Sequence, residues 1–225
     1  MISFARYELR STDPAAASTF YAQVIGPTSA RAGVGISALP EQARARGAPS
    51  HWLGLLGVPA LEGEVERLLA RGFVRLGPPF VAGGAPATSL RDPFGAAIGL
   101  TTAGGNPGPV VWRDMHSKDR PGAAALYGSC FGWSVLPTID LGRYGPYDPF
   151  SVGGDAIGGF MDSGLPGLHP HWLYAFAVPD LSRALGEVRA LGGSVNAAPE
   201  PGPAGLWVAA CEDPQGAAFA LLERG

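Results

Sequence analysis

Cysteine and charged residues are both scarce in this chain of 225 residues. The two cysteines, Cys130 and Cys211, lie in apolar stretches without the spacing of a metal-binding motif. This predicts reduced packing residues, with a single buried disulfide as the alternative. Charged residues make up only 16 % of the chain, and the net charge is −3. Such a balance provides no basic stripe, so we expect neither nucleic acid nor an anionic membrane as a partner.

The sequence also lacks long apolar runs. No window approaches the ~20 apolar residues that span a bilayer. The N-terminal segment contains no apolar core of signal-peptide length and includes Glu8. A glycine-rich phosphate loop and a nucleophile-elbow serine are missing from the sequence as well. We therefore expect a cytoplasmic protein with no membrane partner and no nucleotide cofactor.

Glycine and proline, by contrast, are abundant, and they punctuate a repeat. The 34 glycines and 22 prolines fall between apolar segments, which is typical of turns in an ordered chain. His51-Trp52-Leu53 recurs as His171-Trp172-Leu173. Each copy leads into Val-Pro, a helix-period stretch and an Asp-Pro-x-Gly turn, at Asp92–Gly95 and Asp213–Gly216. In such a turn Asp caps the backbone, Pro fixes φ and Gly adopts a positive φ.

A weaker repeat occupies the segments in between. Residues 4–13 and 110–119 each predict a strand that ends in aspartate. Each strand is followed by a predicted helix that ends at a glycine, Gly26 in the first copy and Gly132 in the second. The chain thus contains four modules of strand, helix and further strands, arranged in two pairs.

The spacing of the modules predicts where the chain divides. The two pairs cover residues 1–103 and 108–225, and the glycine-rich segment 101–109 is the natural linker. Within the second pair, Gly153-Gly154-Asp155 predicts a hairpin turn. Residues 144–149, Tyr-Gly-Pro-Tyr-Asp-Pro, predict a turn-rich loop that covers a cavity.

These motifs together resemble one superfamily. A strand ending in Val-Pro-Asp at 178–180, a helix ending in Leu-Gly-Gly at 191–193 and a closing Asp-Pro-x-Gly strand are similar to the vicinal oxygen chelate superfamily. That group contains glyoxalase I, extradiol dioxygenases and the bleomycin- and fosfomycin-resistance proteins. The resemblance extends over nearly the whole chain and is strongest at 112–133 and 171–222, where it is similar to two-domain members labelled hydroxylase or glyoxalase-like. It implies an α+β fold of tandem βαβββ modules, with curved mixed sheets around a cavity in two glyoxalase-like domains at 1–103 and 108–225.

The resemblance also identifies where metal ligands would lie. Metal-using members carry ligands at fixed distances from the strand-ending aspartates and from the glycine of Asp-Pro-x-Gly. The matching positions here hold Arg6, Leu53, Gly99, Trp112, Leu173 and Ala220. None supplies the carboxylate, imidazole or thiolate that transition metals require. We therefore expect no family-type metal site, and no cofactor of another kind.

A competing interpretation uses side chains next to these positions. Because side chains alternate along a strand, Trp112, Asp114 and His116 share one face. His116, His171 and Asp114 could then form a two-histidine, one-carboxylate metal triad. Alternatively, His51 and His171 open two strands as polar residues beside a tryptophan, since both repeats contain them.

The same alternation predicts the lining of the cavities. Arg6, Glu8 and Arg10 point inward from the first strand, where they either anchor a ligand or form a structural ion pair. Leu173 contributes an apolar wall. Trp112 either stacks on a planar ligand or fills the core.

Two functions stay open at this point. The first is metal-independent binding of a hydrophobic or planar small molecule, as in the resistance members. The second is a glyoxalase-like lyase, an isomerase or a dioxygenase that uses Glu8, Asp114 or His116 as acid–base groups, or the shifted metal triad. A homodimer stays open as an assembly. The predicted ligand-binding residues are Arg6, Glu8, Trp112, Asp114, His116, His171 and Leu173.

Overall fold

The computed structural model describes residues 1–26, 33–105, 108–163, 169–196, 198–202 and 205–224. The predicted linker at 101–109 therefore lies partly outside the described residues, at positions 106 and 107. Within the described part of the chain, no helix is long and apolar enough to cross a membrane.

Aspartates open three of the helices. Asp13, Asp119 and Asp180 each accept a hydrogen bond on Oδ1 from a backbone N–H at the start of the helix, at 3.0, 3.0 and 2.8 Å. Each cap satisfies a donor that the helix itself leaves free, a contribution of about 1 kcal/mol. The helices are α1 (Pro14–Val24), α2 (Glu41–Ala45), α3 (Leu61–Leu69), α4 (Arg120–Phe131) and α5 (Leu181–Ala190), with a 3-10 turn at Gly142–Tyr144.

The first sheet is mixed. Its strand order is β2-β1-β3-β7-β6-β4, and β5 pairs with β6 beside this path. The pairs β1/β2 and β3/β7 are parallel, whereas β6/β7 is antiparallel. Its strands are β1 (Phe4–Ser11), β2 (Val34–Ala38), β3 (His51–Gly57), β4 (Val74–Arg75), β5 (Phe80–Ala82), β6 (Ala85–Arg91) and β7 (Ala97–Thr101).

The second sheet repeats this pattern. Its order is β10-β11-β12-β8-β13-β17-β16-β14, with β9 beside β11 and β15 beside β16. The pairs β8/β12 and β13/β17 are parallel, and β16/β17 is antiparallel. The predicted α+β fold with mixed sheets is confirmed. The strands are β8 (Val110–Ser117), β9 (Ser134–Val135), β10 (Ile139–Asp140), β11 (Pro146–Ser151), β12 (Ala156–Asp162), β13 (His171–Ala177), β14 (Ser194–Val195), β15 (Glu200–Pro201), β16 (Leu206–Glu212) and β17 (Ala218–Arg224).

The chain forms two compact units, each assembled from separated segments. Unit 1 contains α3 and α4, and unit 2 contains α1 and α5. Each unit thus combines a module from before position 103 with one from after position 108, and the domain division predicted from the repeat stays a prediction. Unit 1 comprises Met1–Arg6, Gly54–Asn106 and Trp112–Trp172, and unit 2 comprises Tyr7–Leu53, Pro107–Val111 and Leu173–Gly225.

The Asp-Pro-x-Gly turns have the predicted geometry. Asp92 Oδ1 accepts hydrogen bonds from the backbone N–H groups of the three residues after Pro93, at 2.7–2.9 Å. Asp213 Oδ1 accepts two such bonds at 2.9 Å. Gly95 and Gly216 adopt φ values of 109° and 82°, which favour glycine. The two turns are therefore built alike.

Each turn also holds a buried relay of tryptophan, tyrosine and aspartate. In unit 1, Trp172 Nε1 donates to the Tyr127 hydroxyl at 3.1 Å, and that hydroxyl donates to Asp92 Oδ2 at 2.8 Å. Trp172 and Tyr127 also contact edge-to-face, with ring centroids 5.2 Å apart. The relay joins the second, third and fourth modules and places aromatic side chains of the third and fourth in one core.

Unit 2 contains the same relay with different residues. Trp52 Nε1 donates to the Tyr21 hydroxyl at 2.9 Å, and Tyr21 donates to Asp213 Oδ2 at 3.2 Å. Phe176 and Phe219 pack against these rings, with centroids 5.1 Å from Trp52 and 5.2 Å from Tyr21, respectively. This relay joins the first, second and fourth modules.

One predicted loop is instead a strand. The hairpin predicted at 153–155 is confirmed, because β11 and β12 pair antiparallel on either side of it. The predicted loop over 144–149 is wrong from Pro146 onward, where β11 begins. Pro146 is the first residue of the strand, a position at which a missing N–H costs little. The buried rings of Tyr147 and Phe150 hold the strand in the core.

Candidate functional site

Strand β8 presents two different faces. Arg113 and Met115 are buried, and the Arg113 guanidinium lies 5.5 Å from the centre of the Phe4 ring. On the alternate face, Asp114 and His116 are half-buried. The face with Asp114 and His116 is therefore the more accessible one, although Trp112 on the same face is buried.

Asp114 is the centre of a compact hydrogen-bond cluster. Its Oδ1 atom accepts from Trp112 Nε1 at 3.0 Å and from the Tyr147 hydroxyl at 2.6 Å. Trp112 Nε1 also donates to the Tyr147 hydroxyl at 2.8 Å. Both donors converge on the same carboxylate oxygen, and Asp114 Oδ2 accepts no hydrogen bond from the described residues. One acceptor oxygen is therefore available to a ligand.

A glycine on β12 makes room for the tyrosine of this cluster. Gly159 lies opposite Asp114 in the β8/β12 register. A Cβ atom at position 159 would overlap the aromatic ring of Tyr147 and lie 2.5 Å from its hydroxyl oxygen. Since Tyr147 is fully buried, its ring has little freedom to move away. Gly159 thus fixes where the phenol meets Asp114.

The pKa of Asp114 is shifted toward neutral pH. Burial raises the pKa of this carboxyl from its ordinary value of 3.8 to about 6, while the hydrogen bonds from Tyr147 and Trp112 lower it in part. Burial and the nearby Asp114 carboxylate raise the pKa of Tyr147, which therefore stays a hydrogen-bond donor. Asp114 can exchange a proton near neutral pH, as a general acid or base must.

This shift predicts a measurable pH dependence of stability. Because the folded state holds the Asp114 proton more tightly than the unfolded state, the contribution of this group to the free energy of unfolding falls as pH rises from about 4 to about 6. Between pH 4 and pH 8, the wild type should therefore lose roughly 2–3 kcal/mol of unfolding free energy relative to Asp114→Asn. Urea unfolding at several pH values measures it.

Comparing the wild type with Asp114→Asn cancels the contribution of the histidines to the pH dependence of stability, which has the opposite sign. Burial lowers the pKa of His116 to about 3, so this group makes the protein more stable as pH rises. That term is common to both proteins and cancels. Asp155→Asn, which removes an exposed carboxylate in the β11–β12 hairpin, is the control. A pH-independent difference for Asp114→Asn would contradict the raised pKa.

Two of the predicted histidines lie against each other. The rings of His116 and His171 are parallel to within 5°, with centroids 4.6 Å apart. His171 Nδ1 is 2.8 Å from the carbonyl oxygen of His169, and because a carbonyl only accepts, Nδ1 must carry the proton. Burial lowers the pKa of both histidines, so both rings are neutral at pH 7. His116 Nε2 is buried and has no hydrogen-bond partner among the described residues.

This arrangement does not fit a metal ion. Two imidazoles that bind one ion direct their nitrogen lone pairs at it within the ring planes, whereas His116 and His171 meet face to face. Among the described residues, no three histidine, cysteine, aspartate or glutamate side chains form a group that could hold a metal. Ala220, at one of the positions where the resemblance places a metal ligand, is buried and pairs with Ala175 on β13.

The remaining predicted site residues lie elsewhere. Arg6 belongs to unit 1 and packs over Gly83, where a Cβ atom would lie 2.7 Å from Nη1. Glu8 is buried on β1 in unit 2, and Leu173 is half-buried on β13 in the same unit. Next to Glu8 on the same face, Arg10 Nη1 donates to Ser37 Oγ at 3.0 Å. Within unit 1, direct contacts thus join Trp112 to Asp114 and His116 to His171. The roles of all seven residues as ligand contacts stay predictions.

The sequence interpretation missed Tyr147 and Gly159. Tyr147 falls in a predicted loop because it stands among prolines and glycines, and Gly159 belongs to no motif. The two aromatic residues Tyr147 and Phe150, a type enriched in strands, could have indicated a strand. Its contact with Asp114, however, depends on the pairing of β8, β12 and β11, which no local pattern shows.

Solved structures with the same fold include a dioxygenase and a glyoxalase. The 2,3-dioxygenase LapB from Pseudomonas sp. KL28 superposes with a TM-score of 0.66 at 13 % identity, over 99 % of this chain and 92 % of LapB. The Mn(II)-bound glyoxalase from Novosphingobium aromaticivorans gives 0.64 at 14 % identity, over 99 % and 81 %. At such identities the likeness shows the fold alone, which is that of two-domain glyoxalases and extradiol dioxygenases.

Sequence relatives establish the family. CFP32 of Mycobacterium tuberculosis, assigned as a glyoxylase, is 28 % identical over 96 % of this chain and 92 % of its own length. The anthracycline biosynthesis protein DnrV of Streptomyces peucetius is 30 % identical over 79 % of this chain and 67 % of its own length. No family model matches the chain. The chain belongs to the vicinal oxygen chelate superfamily, as its motifs predict, with glyoxalase-like and extradiol-dioxygenase relatives.

Proposed function

We propose that this chain binds a planar, hydroxylated small molecule without a metal ion, on the β8 face that carries Trp112, Asp114 and His116. The observation that carries the proposal is the asymmetry of the Asp114 carboxyl. Oδ1 is held by the Trp112 and Tyr147 donors, and Oδ2 is left for a ligand. A ligand hydroxyl or N–H that donates to Oδ2 would complete the hydrogen bonding of this half-buried carboxyl.

The surrounding side chains favour a planar ligand. Beside Asp114, the same face carries the half-buried imidazole of His116, which is stacked on the half-buried imidazole of His171. Aromatic side chains bind aromatic rings through stacking and edge contacts worth roughly 0.5–1.5 kcal/mol each. Support for this ligand class comes also from the relative DnrV, since anthracyclines are planar, hydroxylated ring systems.

The metal independence of the proposed binding is inferred from the side chains at and near the metal-ligand positions. The positions at which metal-using members carry ligands hold no carboxylate, imidazole or thiolate, and the two nearby imidazoles are stacked rather than convergent. The residues therefore do not fit the metal that a glyoxalase or a dioxygenase of this superfamily uses.

A second candidate function is acid–base catalysis at the same place. Its supporting observation is the pKa of Asp114, about 6, which allows the carboxyl to remove or return a proton near neutral pH. A lyase or isomerase acting on the bound ligand would use Asp114 in this way. Conversion of the ligand by the wild type, lost in Asp114→Asn, would establish this activity.

Binding of an anthracycline to the purified protein tests the main proposal. We expect saturable binding, followed by ligand fluorescence, that persists after treatment with a chelator. Asp114→Asn should weaken it about 10- to 100-fold, because an amide N–H₂ in place of Oδ2 cannot accept and a hydrogen bond to a charged group contributes about 1.5–3 kcal/mol. The exposed substitution Asp155→Asn is the matched control and should leave the dissociation constant unchanged.

Three results would count against the proposal. Loss of binding on chelation, with recovery on adding a divalent ion, would show that a metal is required. Equal affinities of the wild type and a folded Asp114→Asn variant would show that Asp114 does not anchor the ligand. Absence of saturable binding would exclude anthracyclines as ligands.

A further inference from the structure

Unit 2 contains a cleft that is distinct from the Asp114 face. Its volume of about 530 Å³ lies within the range of roughly 300–1,000 Å³ that is usual for small-molecule sites. It lies between α5 and the strands β15–β17. The residues that matter for its chemistry are Leu181, Leu185, Arg189, Pro199, Trp207 and Glu223.

An exposed tryptophan forms one wall of the cleft. Trp207 on β16 is 47 % exposed, unlike Trp52 and Trp172, which are buried in the relays. Its neighbours across the sheet are Pro201 on β15 and Glu223 on β17. An indole held on a paired strand presents a large, rigid apolar surface at low conformational-entropy cost, so a planar ring can stack on it.

One side of α5 forms the opposite wall of the cleft. Leu181, Leu185 and Arg189 are spaced four residues apart and therefore lie along one side of the helix. Leu181 and Leu185 are buried and provide an apolar floor. The Arg189 side chain is exposed in the last turn of the helix. This wall thus runs from an apolar end to a cationic end.

The two charged side chains of the cleft, Glu223 and Arg189, differ in their hydrogen bonding. Glu223 Oε2 accepts a hydrogen bond from the Leu181 backbone N–H at 2.8 Å, so this carboxylate is engaged at the positive end of α5. The Arg189 guanidinium makes no ion pair or hydrogen bond with the described residues. Its guanidinium therefore offers its donors to a ligand, and this planar fork matches a carboxylate.

We propose that this cleft is a second binding site, which takes a small planar organic anion such as an aromatic carboxylate. The ring stacks on Trp207 over the leucine floor, and the carboxylate pairs with Arg189. Leu185 and Arg189 are about 6 Å apart along the helix axis, a rise of four residues. A fused two-ring carboxylate matches this distance, with its rings extending over Leu181.

Titration of the full chain with 2-naphthoate, by calorimetry, tests the proposal. Saturable binding in the range of about 10–500 µM is expected. Arg189→Gln and Trp207→Leu should each weaken it about tenfold, a change of about 1.4 kcal/mol. Arg183→Gln removes the same charge from an exposed position of α5 outside the cleft and should leave the affinity unchanged. The uncharged 2-naphthylmethanol should bind about tenfold more weakly to the wild type, and equally to wild type and Arg189→Gln.

Three outcomes would overturn the proposal. The first is the absence of saturable binding up to about 10 mM naphthoate. The second is an equal loss in Arg183→Gln and Arg189→Gln, which would show a non-specific effect of charge. The third is loss of binding in a folded Asp114→Asn variant, which would place naphthoate on the β8 face. Melting temperatures of all variants identify any that fail to fold.

Discussion

Substitution of Gly159 by alanine should lower the melting temperature of the protein by about 6–12 °C. The new Cβ would overlap the buried ring of Tyr147, which hydrogen bonds to Trp112 and Asp114 hold in place. Overpacking of this kind costs about 3 kcal/mol, and for a chain of this size each kcal/mol corresponds to about 2–4 °C. Thermal unfolding followed by circular dichroism measures the shift.

Gly154→Ala is the matched control for this substitution. Gly154 is exposed in the β11–β12 hairpin, and no heavy atom lies within 4 Å of where its Cβ would be. We expect a change of less than about 2 °C. Similar melting temperatures for Gly159→Ala and Gly154→Ala would mean that Tyr147 is not confined against β12. Displacement of Tyr147 should also raise the pKa of Asp114 further, since the hydrogen bond from Tyr147 lowers it.

Removal of the hydroxyl of Tyr127 should destabilise the protein by roughly 2–4 kcal/mol. In Tyr127→Phe, the hydrogen bonds from the buried Trp172 Nε1–H and to Asp92 Oδ2 are both lost. Loss of a hydrogen-bond partner at a buried polar group costs about 1–3 kcal/mol. Tyr21→Phe should have a comparable effect, because Tyr21 connects Trp52 and Asp213 in the same way. Denaturant unfolding gives the free energies.

An exposed tyrosine provides the comparison. Tyr144 is 45 % exposed, and its hydroxyl accepts a hydrogen bond from the exposed Arg143 side chain at 2.9 Å. Tyr144→Phe should therefore change the free energy of unfolding by less than about 0.5 kcal/mol. If Tyr127→Phe costs no more than Tyr144→Phe, the relay does not contribute to stability.

The repeated turns and the strand faces could be predicted from sequence because they depend on local chemistry. Asp92 and Asp213 bind backbone N–H groups within a few residues, and Gly95 and Gly216 take the positive φ that the turn requires. The alternation on β8 likewise follows from the two-residue period of a strand, and it brought Trp112 and Asp114 to one face. Each is a property of a short segment.

The assembly of the modules could not be predicted in this way. Repeats show which segments are alike, but they do not show which copies pack together, because all copies offer similar apolar faces. The hydrogen bond between Tyr21 and Asp213 spans 192 positions, and that between Tyr147 and Asp114 spans 33. No periodicity in a short window contains such pairings, so the residues completing the Asp114 cluster and the relays became visible only in three dimensions.

The relay of unit 2 has a consequence for protein synthesis. Tyr21 and Trp52 emerge from the ribosome early, but their carboxylate acceptor, Asp213, is translated 192 residues after Tyr21. At about 5–20 residues per second, the nascent first module waits roughly 10–40 s for the segment that completes its core. During that interval the apolar side of α1 has no final partner, which makes it a natural target for chaperones. Nascent chains arrested before Asp213 should therefore be degraded or aggregate rather than persist as a folded half.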